Sequence, residues 1–228
     1  MLQPDTLQFL IQLKENNNKA WFDTQKDRYD LFRKDYHQLA DALAKEMVQY
    51  DPTLEGLTTK DTTFRIYRDV RFSKNKTPYK TQLGIVLQAG GKKSPLCAYY
   101  LHIEPGKSHA GGGLWMPESE VLNKARKELH YFYDEFTKIV EDPVFKNTFG
   151  TLEVIPGQKL SRPPKGYDKN DPAIEYLKLK SLIASSFISD KMLTSDNLIP
   201  SAIDVFRVLQ PLTEFINRGI LSDENGGI

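Results

Sequence analysis

The sequence predicts an α+β fold, with a central antiparallel β-sheet of four or more strands flanked by N-terminal and C-terminal helices. Three observations predict it. Apolar residues recur at helical spacing in the first fifty residues, alternate with polar residues through the middle of the chain, and return to helical spacing after Pro117. Short turns join the consecutive strands, which is typical of antiparallel pairing. We expect a single domain over residues 1–228, made of a helical part at 1–52, a β-rich core with a basic motif at 60–116, and a helical part at 117–220.

Length and charge fit an ordinary soluble domain. The 228 residues include 31 Lys and Arg against 30 Asp and Glu, a formal charge of +1. Such a balance argues against bulk, non-specific nucleic-acid binding, which needs a basic surplus. The single cysteine, Cys97, excludes an intrachain disulfide framework. No export signal opens the chain and no stretch approaches the roughly 20 apolar residues of a membrane span, so we expect a cytoplasmic protein without membrane association.

Two helices are predicted before Pro52. Asp5 can cap a short helix that ends at the asparagines 16–18, and a longer helix begins near Asn18. The longer helix has one apolar stripe at steps of three, four or seven residues: Phe22, Tyr29, Phe32, Tyr36, Leu39, Leu43 and Met47.

Alternating polar and apolar residues predict four strands, at 64–72, 82–89, 96–104 and 108–116. Three successive glycines, Gly111 to Gly113, either weaken the last of these strands or let another backbone approach it closely.

Helices are expected again in the C-terminal part. One begins after Pro117, and the prolines and glycines between 151 and 168 indicate an irregular segment. Asp171 and Pro172 would start a helix that continues to about Ala184, and a last helix would end at Gly219.

The segment from Lys60 to Lys80 is the most unusual part of the sequence. Its seven basic and two acidic residues give a local charge of +5. On the predicted strand, Arg68 lies between apolar neighbours, where an unpaired charge is costly. Two interpretations stay open: the arginines bind an anion, or they form a structural network of ion pairs.

Guanidinium groups bind phosphate or carboxylate through paired N–H donors. The anion-binding interpretation uses Asp69 to orient the guanidinium groups and Tyr79 to add a hydroxyl. Either tryptophan could stack on a ligand or lie at the edge of the core. The candidate ligand-binding residues are Arg65, Arg68, Asp69, Arg71, Lys76, Tyr79, Trp21 and Trp115.

The same segment carries a family resemblance. The run from Arg65 to Tyr79 resembles the signature of an uncharacterised, mainly bacterial family, domain of unknown function 2461. Further similar blocks extend over nearly the whole chain: Asn17–Phe22, Tyr100–Gly106, Gly112–Pro117 and Arg162–Asp168. The resemblance implies membership and marks Arg65, Arg68, Asp69, Arg71, Phe72, Lys76 and Tyr79, without implying an activity, substrate or cofactor.

His102 and Glu104 would lie on one face of the third predicted strand, together with Tyr100. A neutral imidazole oriented by a carboxylate can act as a general base near pH 7, so these two residues are the catalytic candidates. The alternative is a half-exposed histidine that its neighbours satisfy. With His109 they offer donors suited to zinc or iron, but their spacing matches no metal-binding pattern, and we predict no metal site.

The leading functional hypothesis is a protein that binds an anionic small molecule through the arginine motif, with enzyme activity left open and no cofactor identified. The alternative is a module that binds nucleic acid or an acidic partner, because the charge over residues 60–93 reaches +7. A buried arginine cluster would favour the first hypothesis, and a surface-displayed cluster the second. The sequence leaves the oligomeric state open.

Overall fold

The computed structural model describes residues 1–222 and has the predicted α+β architecture. Four antiparallel strands form one sheet in the order β1-β2-β3-β4. The strands are β1 (Leu83–Leu87), β2 (Ala98–Ile103), β3 (His109–Leu114) and β4 (Leu182–Phe187).

Helices occupy the chain before β1 and between and after the later strands. They are α1 (Pro4–Glu15), α2 (Lys19–Thr24), α3 (Lys26–Met47), α4 (Thr59–Thr62), α5 (Ser119–Tyr131), α6 (Tyr133–Val140), α7 (Pro143–Phe149), α8 (Ile174–Leu177), α9 (Asp190–Leu193) and α10 (Leu198–Leu221), with a 3₁₀ turn at Pro52–Leu54. Within residues 1–222, none of them is long and apolar enough to cross a bilayer.

The chain divides into two compact units, each assembled from separate segments. The first comprises Met1–Leu87, Tyr100–Ala110 and Phe187–Ile203, and the second comprises Gln88–Tyr99, Gly111–Ser186 and the chain from Asp204 onward. This division does not test the prediction of a single domain over residues 1–228, which stays a prediction.

In the first unit, α1 and α3 pack together around an aromatic core. The buried Asp35 on α3 accepts hydrogen bonds from the backbone N–H of Gln3 at 2.8 Å and from Thr6 Oγ1 at 2.7 Å. These bonds satisfy donors at the start of α1, which the helix itself leaves unpaired. They attach α1 to α3 beside the buried rings of Phe9 and Phe32.

The predicted long helix from Asn18 is two helices, because the helical conformation is interrupted at Gln25. Asn18 caps α2 by accepting a hydrogen bond from Trp21 N at 2.9 Å. Near the break, Thr24 Oγ1 donates to Trp21 O at 2.7 Å, a side-chain bond that competes with the helical pattern.

The predicted strand at 64–72 is wrong. Within this segment only Tyr67 forms a bridge, to Tyr79, and the chain then turns. Asp69 accepts from Arg71 N at 3.2 Å, and Ser73 N donates to Val70 O at 3.3 Å. Because these local bonds replace the ladder of a strand, the segment is a loop whose apolar positions do not share one buried face.

The helix predicted to continue to Ala184 is also wrong, because it ends at Leu177 and the chain enters β4 at Leu182. The glycines of β3 allow this pairing. A Cβ atom on Gly111 would lie 2.1 Å from Ala184 O, and one on Gly113 would lie 2.2 Å from Leu182 O. The glycine run therefore permits the close backbone approach that the sequence had suggested as one of two alternatives.

Candidate functional site

The predicted ligand-binding arginines lie in the first unit, on the segment Phe64–Lys80, which we call the basic loop. Beside the Tyr67–Tyr79 bridge, Arg68 N donates to Pro78 O at 2.9 Å and Lys80 N donates to Ile66 O at 2.8 Å. Ile66 is buried, whereas most of the charged side chains of the loop are exposed. The loop is thus closed at its base and displays its charges at the surface.

Arg68 is half-buried and has only neutral partners. Its Nη1 donates to Thr77 O at 2.8 Å and to Thr77 Oγ1, and its Nη2 lies 3.5 Å from Ser73 Oγ. No carboxylate of residues 1–222 forms an ion pair with it. A guanidinium group usually meets a carboxylate or a phosphate when it is withdrawn from water. Arg68 therefore has no counter-ion in the described chain.

Two other predicted cations are already engaged by the loop itself. Arg71 pairs with Asp69, with Nη2 at 2.6 Å from Oδ2, and this hydrogen bond holds the pKa of the Asp69 carboxyl below its usual value. Lys76 Nζ donates to Val70 O at 3.0 Å. Asp69 thus orients Arg71 rather than Arg68, and the charge of the exposed Arg65 also acts on the Asp69 carboxyl and helps to lower its pKa.

Tyr79 and Trp21 lie in the aromatic core of the first unit. The Tyr79 ring is stacked on Phe22 with centroids 4.0 Å apart, and burial raises the pKa of its phenol. The Asn17 side chain makes two hydrogen bonds to the Tyr79 backbone: its Nδ2 donates to Tyr79 O at 2.9 Å, and its Oδ1 accepts from Tyr79 N at 3.0 Å. Trp21 packs 5.8 Å from Phe9. These contacts fix the base of the basic loop on α2.

Trp115, the other predicted stacking residue, belongs to the second unit. Its side chain is exposed, and it follows the last residue of β3. Met116, the next residue, has a positive φ of 40° and its N–H donates to Ser181 Oγ at 2.9 Å. Trp115 therefore lies at a strained turn of the second unit, whereas the basic loop belongs to the first unit.

His102 belongs to β2, and Glu104 directly follows the last residue of that strand, Ile103. His102 Nε2 is 3.4 Å from Glu104 Oε2, and the His102 ring stacks on His109 with centroids 4.7 Å apart. Burial, followed by the neighbouring His109, lowers the pKa of His102. His102 is therefore neutral near pH 7, the state that a general base requires.

Glu104 also borders a cavity of about 200 Å³ in the first unit, which α1 lines with Leu10, Ile11 and Lys14. Across it, Lys14 Nζ is 3.9 Å from Glu104 Oε1. Among residues 1–222, no group of three or more histidine, cysteine, aspartate or glutamate side chains is arranged to hold a metal ion. A histidine in contact with a carboxylate is an arrangement that can support proton transfer.

A family model described as "Conserved hypothetical protein (DUF2461)" matches residues 5–215. The chain belongs to this family. Searches of curated proteins and of solved structures find no match to it.

The family match confirms the resemblance to DUF2461. Two of the blocks that resemble DUF2461 motifs, Asn17–Phe22 and the run from Arg65 to Tyr79, meet in the first unit through the Asn17 bonds and the Phe22–Tyr79 stack. The family match names no activity and assigns no role to the basic loop of this DUF2461 protein.

Sequence reasoning missed four polar residues of the second unit in this DUF2461 chain: Arg126, His130, Tyr167 and Asp171. A signal was present. The apolar face of α5 contains Leu122 and Leu129, and Arg126 falls on that face with His130 one turn later. A charged residue on an apolar helix face needs a partner in the folded protein.

Proposed function

We propose that this protein binds a phosphate- or carboxylate-bearing small molecule at the basic loop, with Arg68 as the main contact. The observation that carries the proposal is the half-buried Arg68 guanidinium, which has hydrogen bonds only to neutral groups. Its three hydrogen bonds leave two of the five N–H donors of a guanidinium group unused. Two donors on one planar group match the oxygen pair of a carboxylate or phosphate.

The rest of the loop supports this role by charge and by rigidity. Arg65 adds an exposed cation, whose charge also acts on the Asp69 carboxyl. The Arg71–Asp69 pair and the Lys76 bonds to backbone carbonyls hold the loop in shape. A ligand therefore meets a loop that is already ordered, which lowers the entropic cost of binding.

Calorimetric titration with inorganic phosphate, pyrophosphate and citrate tests the proposal. We expect Arg68→Met to weaken binding at least about 10-fold, because a hydrogen bond to a charged group contributes about 1.5–3 kcal/mol. The matched control is Arg33→Met, which removes an exposed arginine on α3 that pairs with Asp30 at 3.2 Å. This control should bind like the wild type.

The proposal fails if the wild-type protein binds none of these anions, or if Arg68→Met and Arg33→Met bind them equally well. Circular dichroism melting of both variants shows whether a change in binding follows a change in folding. A melting temperature close to that of the wild type assigns the loss of affinity to the contact itself.

A second candidate function, single-stranded nucleic-acid binding, is favoured by the surface display of the loop. Phe72 is 96% exposed, and the Arg71 guanidinium lies 5.9 Å from its ring centroid. Exposed aromatic rings among cations are typical of surfaces that stack bases and contact phosphates. A surface-displayed arginine cluster is the arrangement that, from the sequence, we expected of a module that binds nucleic acid or an acidic partner.

Fluorescence anisotropy with a labelled single-stranded DNA tests this candidate. We expect Phe72→Ser to weaken binding several-fold, since stacking contributes about 1–3 kcal/mol per base, and we expect affinity to fall steeply with salt. The control is Phe187→Ser, which changes another exposed phenylalanine of the first unit. Affinity that does not change with salt, or an equal effect of the two variants, would exclude the candidate.

A further inference from the structure

Arg126 is a buried arginine of the second unit that no carboxylate of residues 1–222 neutralises. Only 7% of the residue is exposed. Its Nε donates to Leu177 O at 2.8 Å and its Nη2 donates to Leu179 O at 3.2 Å, and no ion pair involves it within residues 1–222. Burial lowers the pKa of its guanidinium. A buried charge that only carbonyl dipoles stabilise is a costly feature unless an anion completes it.

Part of the Arg126 guanidinium group has no partner in the described chain. Its Nη1 has no hydrogen bond within residues 1–222, and no buried side-chain nitrogen or oxygen of these residues lacks a partner. Nη1 is therefore not completely sealed from solvent, although only 7% of the residue is exposed. The carbonyls hold the guanidinium group through Nε and Nη2 and leave Nη1 for a further acceptor.

His130 lies one turn further along the same face of α5 as Arg126. Its Nδ1 is 2.6 Å from Oδ2 of Asp171, a carboxylate whose side chain is only 4% exposed. The Asp171 carboxylate therefore faces the Nδ1 edge of the ring. Nε2, on the opposite edge, has no hydrogen bond to the described chain, and the His130 side chain is 40% exposed. A carboxylate at Nδ1 leaves Nε2 to exchange a proton with a ligand.

Tyr167 closes this cluster from the irregular segment before α8. Its ring meets the His130 ring edge-on, with centroids 5.3 Å apart. The Arg126 charge acts on the Tyr167 phenol and partly offsets the increase in its pKa that burial causes. The ring of Tyr131, the next residue in α5, also packs against the His130 ring, with centroids 5.1 Å apart. The charged and titratable groups around His130 are thus Asp171, Tyr131, Tyr167 and, one turn away, Arg126.

We propose that Arg126, His130 and Tyr167 form an anion-binding site in the second unit that takes a small phosphate-bearing molecule, with the Nε2 edge of His130 sharing a hydrogen bond with the phosphate group. A guanidinium and an imidazole one helical turn apart suit the several oxygens of a tetrahedral phosphate better than the two oxygens of a carboxylate. The site uses no residue of the basic loop, so Arg68→Met and Arg126→Met distinguish the two proposals.

A structural role for the same residues is the competing explanation. Arg126 contacts the carbonyl at the end of α8, and Asp171 Oδ1 accepts from Ala173 N at 2.8 Å. Such bonds stabilise the ends of helices and turns whether or not a ligand exists. The two explanations differ in what phosphate does to His130, which a purely structural role leaves unchanged.

The test is an NMR titration of histidine-labelled protein with inorganic phosphate at fixed pH. The chain has four histidines, so four imidazole signals can be assigned, His130 by comparison with His130→Gln. We expect phosphate to shift the His130 imidazole signal more than the other three, because the bound anion contacts this ring. The shift should persist in Arg68→Met and disappear in Arg126→Met.

Calorimetry with phosphate at pH 6, in the Arg68→Met background, provides a second readout that does not depend on Arg126→Met being folded. His130→Gln should weaken binding at least about 10-fold, and the control His37→Gln, a half-buried histidine of the first unit, should not. The proposal is overturned if phosphate leaves the His130 imidazole signal unchanged, if His130→Gln and His37→Gln bind alike, or if acetate binds as tightly as phosphate.

Discussion

Phe9→Ala is expected to destabilise the protein by about 3–5 kcal/mol, the largest loss that a single truncation should cause in the first unit. The Phe9 side chain is fully buried, and its ring lies 4.8 Å from Phe32 and 5.8 Å from Trp21, centroid to centroid. Phe22, at 6.3 Å, is the ring on which Tyr79 stacks. The cavity that Phe9→Ala leaves therefore lies next to the support of the basic loop.

Urea unfolding followed by circular dichroism measures this loss. The control is Phe72→Ala, which removes the same side chain where it is 96% exposed and should change the free energy of unfolding by less than about 0.5 kcal/mol. Equal losses for the two variants would show that the aromatic core is not packed around Phe9 as described.

Arg218→Met is expected to destabilise the second unit by about 2–3 kcal/mol, because it leaves the Glu128 carboxylate buried without its partner. Arg218 Nε lies 2.5 Å from Glu128 Oε1, whose side chain is 8% exposed, and Nη2 lies 2.8 Å from Glu135 Oε2. Methionine keeps much of the aliphatic stem, so the variant removes charge more than packing. The expected loss is below that of a fully buried pair because the Arg218 side chain is 36% exposed.

The dependence of this loss on pH is a further part of the same prediction. The hydrogen bond from Arg218 lowers the pKa of Glu135 in the folded protein. A lowered carboxyl pKa stabilises the fold above the unfolded value of about 4.5, and this contribution is lost as pH falls through the folded value. The difference between wild type and Arg218→Met should therefore be greatest near pH 7 and smaller below about pH 4.5.

Arg207→Met is the matched control on the same helix, α10. Arg207 forms an exposed ion pair with Asp204 at 3.8 Å, and surface pairs of this kind contribute about 0–1 kcal/mol. Thermal unfolding of both variants at pH 7 and pH 4 separates the two cases. A loss for Arg218→Met no larger than that for Arg207→Met would contradict the prediction.

The sequence predicted the fold class and three of the four strands, because short local patterns determine them. The predicted strands at 82–89, 96–104 and 108–116 contain β1, β2 and β3, each within a few residues of its observed bounds. Alternation over residues 64–72 was misleading, because the side chain of Asp69 turns the chain. Local periodicity contains no information about such a competing hydrogen bond.

The arginine motif could be located from the sequence, but the geometry of the motif could not be predicted from it. The density of charge marked Arg65, Arg68 and Arg71 as unusual. That Arg71 pairs with Asp69, while Arg68 meets only Thr77 and Ser73, depends on how the loop closes on Tyr79. The partners of a side chain in a loop are set by contacts distant along the chain, which no spacing rule supplies.

The amino-acid sequence alone determined the α+β class, the basic segment and the family, since composition, periodicity and motif are properties of neighbouring residues. Tertiary structure decided that β4 pairs at the glycines of β3, and that Arg126, His130 and Tyr167 meet. The physical reason is distance along the chain: Arg126 and Tyr167 are 41 residues apart, and only packing brings such groups within reach of one another.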